Sequence, residues 1–398
     1  MAGRDGKKQA RSANVGRRLL VGMGASAGVF LAAAAMATGS AAPAKADFDA
    51  LIDPIIQPIL TSLTDSLTAF DPAAALDLTS WSDSFLASLN SIDLALPSVA
   101  EPAAAVAAAA EPAASTGASL PMTVLEGTEP AVYATIDGGS TSVPLLVDTG
   151  SSGLVLPYTD FGSNYLSQLE AIYALGTPTG ISESGYSGGV DYIYLTYNNV
   201  PVDYVGGTGL STDGPVDVEV YSWDPSNFGS LFSNDAFQSF LTSNQVDGIL
   251  GIGENTAGPT TSPFESFGGV TVDVPGDKLL IGSDAPITGT TVSGAPISSL
   301  YETVTNGSTT TGASVSDDVD SGGVFGTIPS SLTAAPGTVI TVYDHQGGTE
   351  LYQYTVGSGE VPTSVTGTSI DSGFAPFLNH EIYINYATDQ MTIGPAIS

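Results

Sequence analysis

A chain of 398 residues with 47 glycines, 25 prolines and abundant serine and threonine is long enough for one large two-lobed domain, and too rich in turn formers for a helical bundle. Its 42% hydrophobic residues suffice to bury a core, which excludes global disorder. With no cysteine and only His345 and His380, disulfides, thiolate metal sites, a cysteine nucleophile and a His-rich metal cluster are excluded, and the formal charge of −33 speaks against phosphate-backbone partners.

The charge is unevenly placed. Seven of the eight basic residues (Arg4, Lys7, Lys8, Arg11, Arg17, Arg18 and Lys45) lie in residues 1–46, which read as an export signal. The basic stretch ends at Arg17-Arg18, an apolar run continues from Leu19 to Met36, and Ala44-Lys45-Ala46 supplies a small-x-small cleavage site before Asp47. The apolar run just reaches membrane-spanning length, but Gly and Ala dilute it, so a cleaved signal is preferred to an anchor. The arginine pair also suits twin-arginine export. A secreted or cell-envelope location is the expectation. After the leader, 40 acidic residues face Lys278 alone, a formal −39, so no nucleic-acid partner is expected. Such acidity keeps an extracellular protein soluble, and it also suits work at low pH, where carboxylates neutralise.

Residues 47–95 show helical spacing: Leu51, Ile52, Ile55, Ile56, Ile59, Leu60, Leu63 and Leu67, then a second stretch around Trp81, Phe85 and Leu89. The segment is too small for a confident core of its own. It reads as a helical hairpin that packs on the main domain, serves as a pro-segment or contacts the cell envelope. Residues 96–121 collapse to Ala, Pro, Glu and Ser and read as a protease-accessible linker. The remainder is β-rich, punctuated by turns, with lobes expected at 122–285 and 286–398. Val132–Ile136 and Val143–Val147 form a hairpin through Asp137-Gly138-Gly139 whose second strand delivers Asp148. Thr338–Tyr343 with Leu351–Val356 forms another, and Glu381–Tyr386 with Met391–Ile393 closes the chain.

Two stretches align without a gap: Asp148-Thr-Gly-Ser-Ser-Gly-Leu-Val-Leu-Pro157 and Asp320-Ser-Gly-Gly-Val-Phe-Gly-Thr-Ile-Pro329. Each has Val before its Asp, a hydroxyl residue and Gly after it, and an apolar-Pro pair ending nine residues on. A strand ending at Asp, a Gly for the sharp turn and a hydroxyl to bond the loop make an elbow that presents a carboxylate. Two such elbows related by an internal two-fold place the carboxylates face to face. So close a pair cannot both ionise; it shares a proton and titrates as a unit. The ionised member can then take a proton from water while the protonated one bonds a scissile carbonyl, the chemistry of which aspartic proteases are the standard example. No metal or organic cofactor is needed.

DTGSS with DSGG, and Val246-Asp-Gly-Ile-Leu-Gly-Ile-Gly253 between them, resemble the pepsin-like aspartic proteases. The tail from Phe377 through Ile393-Gly394-Pro395 is similar to that family's final strand pair. The likeness covers about 122–398, strong at the motifs and weak between them; cysteines are absent, and Val155 stands where the family's usual Trp would be. It is closer to the mycobacterial PE-domain-processing aspartic proteases, although this chain begins with a signal and a short helical segment in place of a PE domain. The resemblance implies an all-β bilobal fold with two pseudo-symmetric β-barrel lobes, and a monomer with a polypeptide substrate in the cleft. It also implies cleavage of surface or secreted proteins and self-cleavage in the linker. It assigns Asp148 and Asp320 as catalytic, with Thr149, Gly150, Ser151, Ser321 and Gly322 in support: Thr149 and Ser321 would lock the loops together and Ser151 would orient Asp148. Tyr186 lies where a flap tip would cover the cleft, with Tyr192 and Tyr194 as rivals.

Three further features compete with these assignments. Asp371 in Ile370-Asp-Ser-Gly373 rivals Asp320 in spelling, but position 380, nine residues on, is His, so Asp371 reads as a structural turn residue. Gly185–Gly189 spells Gly-x-Ser-x-Gly without the strand-to-helix context of a serine nucleophile. His345 and His380 read as loop or surface histidines. A pepsin-fold surface binding or adhesion protein without activity is the alternative to an enzyme, and intact acids in both elbows weigh against it.

Overall fold

A computed structural model describes residues 117–397, apart from 140, 163–164, 188–189, 208, 224–235 and 284–286. The expected signal, the helical segment 47–95 and the linker up to residue 116 lie outside the described residues. Within them, 23 strands and two α-helices make an all-β, two-lobed architecture, as the turn-rich composition implies.

The described chain opens with β1 (Ala118–Pro121) and β2 (Thr123–Leu125), then the hairpin β3 (Glu129–Ile136) and β4 (Val143–Asp148). A short loop leads to β5 (Ser152–Pro157), followed by α1 (Tyr165–Ala174) and the hairpin β6 (Gly180–Ser187) and β7 (Val190–Tyr197). β8 (Val202–Tyr204), β9 (Ser211–Thr212), β10 (Val216–Trp223), α2 (Ala236–Asn244) and β11 (Gly248–Ile252) complete the first lobe. Its ten-stranded sheet runs β6-β7-β10-β5-β11-β4-β3-β8-β9, with β2 added on β3. At its centre, β11 lies parallel to β4 and antiparallel to β5. Every residue of β5 and β11 is buried, which explains why both read as continuous apolar runs and not as alternating ones. α2 covers one face by burying Phe237 and Leu241, one turn apart, against Tyr192 and Val155.

The chain then crosses to β12 (Gly269–Asp273), β13 (Lys278–Ile281) and β14 (Thr290–Ser293). The second lobe follows: β15 (Ile297–Asn306), β16 (Thr309–Asp318), β17 (Thr327–Pro329), β18 (Val339–Tyr343), β19 (Glu350–Thr355), β20 (Thr363–Val365) and β21 (Ser369–Asp371). Its sheet runs β19-β18-β15-β16-β21, with β17 and β20 paired separately. The long β15–β16 hairpin turns at Gly307, whose positive φ of 61° a side chain would resist. The closing pair, β22 (Ile382–Asn385) and β23 (Gln390–Ile393), joins a six-stranded sheet of order β1-β13-β12-β22-β23-β14. This sheet takes strands from the start, middle and end of the domain.

Two sequence readings shift here. Residues 118–121, assigned to the linker by composition, form β1 on the edge of the six-stranded sheet, with Ala118 opposite Ile281 and Pro121 opposite Lys278. Leu120, fully buried, is the reason: one apolar side chain among Ala, Ser and Pro suffices to seat the strand. His380, read as a loop or surface residue, is buried, and its Nδ1 lies 2.7 Å from the Gly394 carbonyl oxygen, pinning the closing hairpin.

Candidate active site

Both Asp-hydroxyl-Gly stretches sit on loops that leave the central strands of their lobes. β4 ends at Asp148 and turns through Thr149-Gly150-Ser151 into β5; β16 ends at Asp318, and Asp320 opens the turn that leads to β17. Each has a parallel neighbour beneath it. β11 places Gly251 opposite Asp148, and β21 places Asp371 opposite Asp318.

The loops meet through four reciprocal bonds. Thr149 N–H donates to Ser321 Oγ (3.0 Å) and Ser321 N–H donates to Thr149 Oγ1 (2.8 Å). Each hydroxyl then donates across the two-fold to the carbonyl before the opposite Asp: Thr149 Oγ1 to Val319 O and Ser321 Oγ to Val147 O, both at 2.6 Å. All these groups are buried, so each bond replaces one that water would otherwise make, and losing one leaves an unpaired group.

That lock brings the carboxyls of Asp148 and Asp320 side by side, close enough to share one N–H donor. Asp148 Oδ1 accepts from Gly150 N–H (2.9 Å) and Asp320 Oδ1 from Gly322 N–H (2.8 Å), while Gly150 N–H also reaches Asp320 Oδ1 (3.1 Å). Close approach forces both glycines. A Cβ on Gly150 would stand 2.6 Å from Asp320 Oδ2, and one on Gly322 would stand 3.0 Å from Asp148 Oδ1. Ser151 Oγ donates to Asp148 Oδ2 at 2.7 Å, the orienting contact foreseen for it. Burial, then the neighbouring carboxylates Asp148, Asp371 and Asp318, push the Asp320 carboxyl well above the ordinary range. Asp320 is thereby disposed to keep its proton where an isolated carboxyl would have lost it. Among the described residues, no group of three or more acidic or histidine side chains is arranged to hold a metal ion.

The other nominated residues divide. Tyr186 lies near the end of β6, next to the turn of the β6–β7 hairpin. Tyr192 and Tyr194, its rivals, are buried in the core, Tyr192 with its ring 5.0 Å from Phe237, so neither can cover a cleft. Of Gly185–Gly189, the described residues 185–187 end β6, which pairs antiparallel with the strand β7 that follows, not with a helix. His345 is exposed and pairs with Asp344 at 2.9 Å.

Asp371, read from sequence as a structural turn residue, ends β21; it is 2% exposed, and its Oδ1 accepts from Gly373 N–H at 2.7 Å. With Asp317 and Asp318 it forms a group of buried carboxyls behind Asp320, which the sequence reading missed. The sequence held a signal: the apolar Ile249-Leu250-Gly251 beneath the first loop is answered by Asp371-Ser372-Gly373 beneath the second.

Two loops locked by their hydroxyls around one acid pair, on an all-β two-lobed scaffold, define an aspartyl peptidase-like domain. The sequence comparisons place the chain more closely: residues 118–394 match the model of the PE-PGRS C-terminal aspartyl peptidase-like domain, and the chain belongs to that family. It is similar to PE cleavage protein A from two strains of Mycobacterium tuberculosis, 36% identical over 292 residues. It is also 37% identical over 288 residues to PE cleavage protein A of Mycobacterium marinum. Each match covers 68% of this chain and 50% of the relative, so the chain spans about half the length of the curated relatives it matches.

Proposed function

We propose that this protein is an exported aspartic endopeptidase in which Asp148 and Asp320 activate a water molecule against a peptide carbonyl. The observation that carries this reading is that the two buried carboxyls accept from the same Gly150 N–H, on loops held by the reciprocal Thr149–Ser321 bonds. The ionised carboxylate accepts a proton from water as the water oxygen bonds to the carbonyl carbon; the protonated carboxyl donates to the carbonyl oxygen. The tetrahedral intermediate then collapses with a proton passing to the departing amide nitrogen, the C–N bond breaks, and the pair returns to its singly protonated state.

The name PE cleavage protein A supports polypeptides bearing a PE segment as the substrate class, and surface or secreted proteins as the wider one. Export through the signal at 1–46 and self-processing within 96–116 complete the reading. Full-length protein secreted beside its Asp148→Asn and Asp320→Asn forms tests it. Wild type should cleave unfolded polypeptide best below neutral pH and show a new N-terminus in the linker, and both variants should lose these activities. Undiminished turnover in both variants refutes the dyad; loss confined to an Asp371 variant moves the second role to that residue.

A further inference from the structure

The two catalytic loops are not equivalent, and the difference points to a third carboxyl. Ser151, three residues after Asp148, donates to Asp148 Oδ2. Its counterpart three residues after Asp320 is Gly323, which has no donor to offer. The space is not empty: a Cβ on Gly323 would stand 2.7 Å from the Asp371 carboxyl carbon. Asp371 enters from β21, the strand that lies under the second loop as β11 lies under the first. Continuing the β21–β16 register by two residues brings Gly373 level with Asp320, as Gly251 is level with Asp148. Asp371 thus holds the place of Ile249, an apolar and fully buried residue in the first lobe.

Resting on the dyad chemistry above, we propose that Asp371 is the positioning residue for Asp320, a protonated carboxyl that replaces, from the neighbouring strand, the hydroxyl that Ser151 provides to Asp148. Its surroundings favour the neutral form. Asp317 and Asp318 face it from β16, Asp148 and Asp320 from the two loops and Tyr354 from β19. Lys278 is the single Lys or Arg among the described residues, and it lies exposed on β13. Burial raises the Asp371 carboxyl well above the ordinary range, and Asp317 and Asp148 add to the rise. A buried carboxyl kept neutral in this way can act as a hydrogen-bond donor.

Three variants of the full chain test the role by their kcat, KM and pH profile. Asp371→Ile, which copies Ile249, should lower kcat by about 10- to 100-fold with KM within about twofold, the loss expected when a buried polar group is left without its partner. Adding Gly323→Ser should restore kcat to within about threefold of wild type, because Ile249 and Ser151 hold the matching positions together in the first lobe. Asp371→Asn keeps a donor but cannot ionise, so kcat should hold within about threefold while the alkaline limb of kcat/KM moves to higher pH. Wild-type kcat in Asp371→Ile, or a loss that Gly323→Ser does not rescue, overturns the assignment. If Asp371→Ile fails to fold, an unmoved alkaline limb in Asp371→Asn overturns it alone. Asp148→Asn separates the two failures: if it retains turnover the dyad itself is wrong, and if it is inactive while Asp371→Asn leaves the profile unmoved, only the role of Asp371 falls.

Discussion

Glu219 offers a direct measure of how this fold responds to pH. It lies on β10, opposite Pro157 of β5 and Tyr194 of β7, is 2% exposed, and leaves Oε1 without a hydrogen-bond partner. Burial pushes its carboxyl from the ordinary 4.5 up to about 8. Below pH 4.5 the folded and unfolded chains both hold the proton, and the group does not affect stability. As pH rises from 4.5 to 8 the unfolded chain releases the proton while the folded chain keeps it, so stability falls by about 1.4 kcal/mol for each pH unit in the window. Across the window the loss is about 4 to 5 kcal/mol. Glu219→Gln keeps the shape and cannot ionise. Its stability relative to wild type should therefore climb by about that amount between pH 4.5 and 8, or roughly 10 °C in Tm. The comparison cancels the self-repulsion of the acidic surface, which also grows with pH but acts on both proteins. Denaturant titrations of the two chains at a series of pH values make the measurement. Parallel stability curves from pH 4.5 to 8 would show that Glu219 is not held neutral by the fold.

Two further outcomes follow from the same contacts. Thr149→Ala removes one hydroxyl from the interlobe lock, leaving Val319 O and Ser321 N–H unpaired; it should cost about 2 to 4 kcal/mol in denaturant unfolding and sharply reduce turnover, with Thr149→Ser restoring both. Leu120→Ala opens a cavity under β1 and should cost about 2 to 5 kcal/mol; an unchanged midpoint would mean that β1 is not part of the folded unit.

The parts of this fold legible in sequence are those where a local rule and the tertiary outcome agree. The β3–β4, β18–β19 and β22–β23 hairpins were readable because apolar strands flank Gly- or Asp-rich turns. The pairing of Asp148 with Asp320 was readable because both loops repeat a spacing as far as Pro157 and Pro329, a regularity that survives when the strands between them do not resemble each other. β1 was hidden because its composition continues the linker, and only the burial of Leu120 separates the two. Asp371 was hidden for a different reason. Spelling makes it a twin of Asp320, whereas its meaning depends on the register of β21 against β16, which pairs Asp371 with Asp318.

The acidic composition is where sequence and structure diverge most. Strand alternation alone would send Asp217 and Glu219 to water, since Val216 and Val218 between them face the core. β10, however, is an inner strand between β7 and β5, and the face carrying the acids is covered too. Asp217 is accommodated by the hydroxyls of Thr196 and Thr260, each donating at 2.6 Å, and its carboxyl rises only to about 6. Glu219 has no such donor and rises to about 8. In the second lobe Glu302 lies on the core face of β15 beside Asp317, which Tyr352 bonds at 2.9 Å; burial takes them to about 8 and about 7. Each of these groups is neutral when the fold is at ease and penalises the fold when ionised. Part of the acidity that reads as a solubilising coat is therefore internal. A chain built this way gains stability as pH falls through the range in which these buried carboxyls regain their protons.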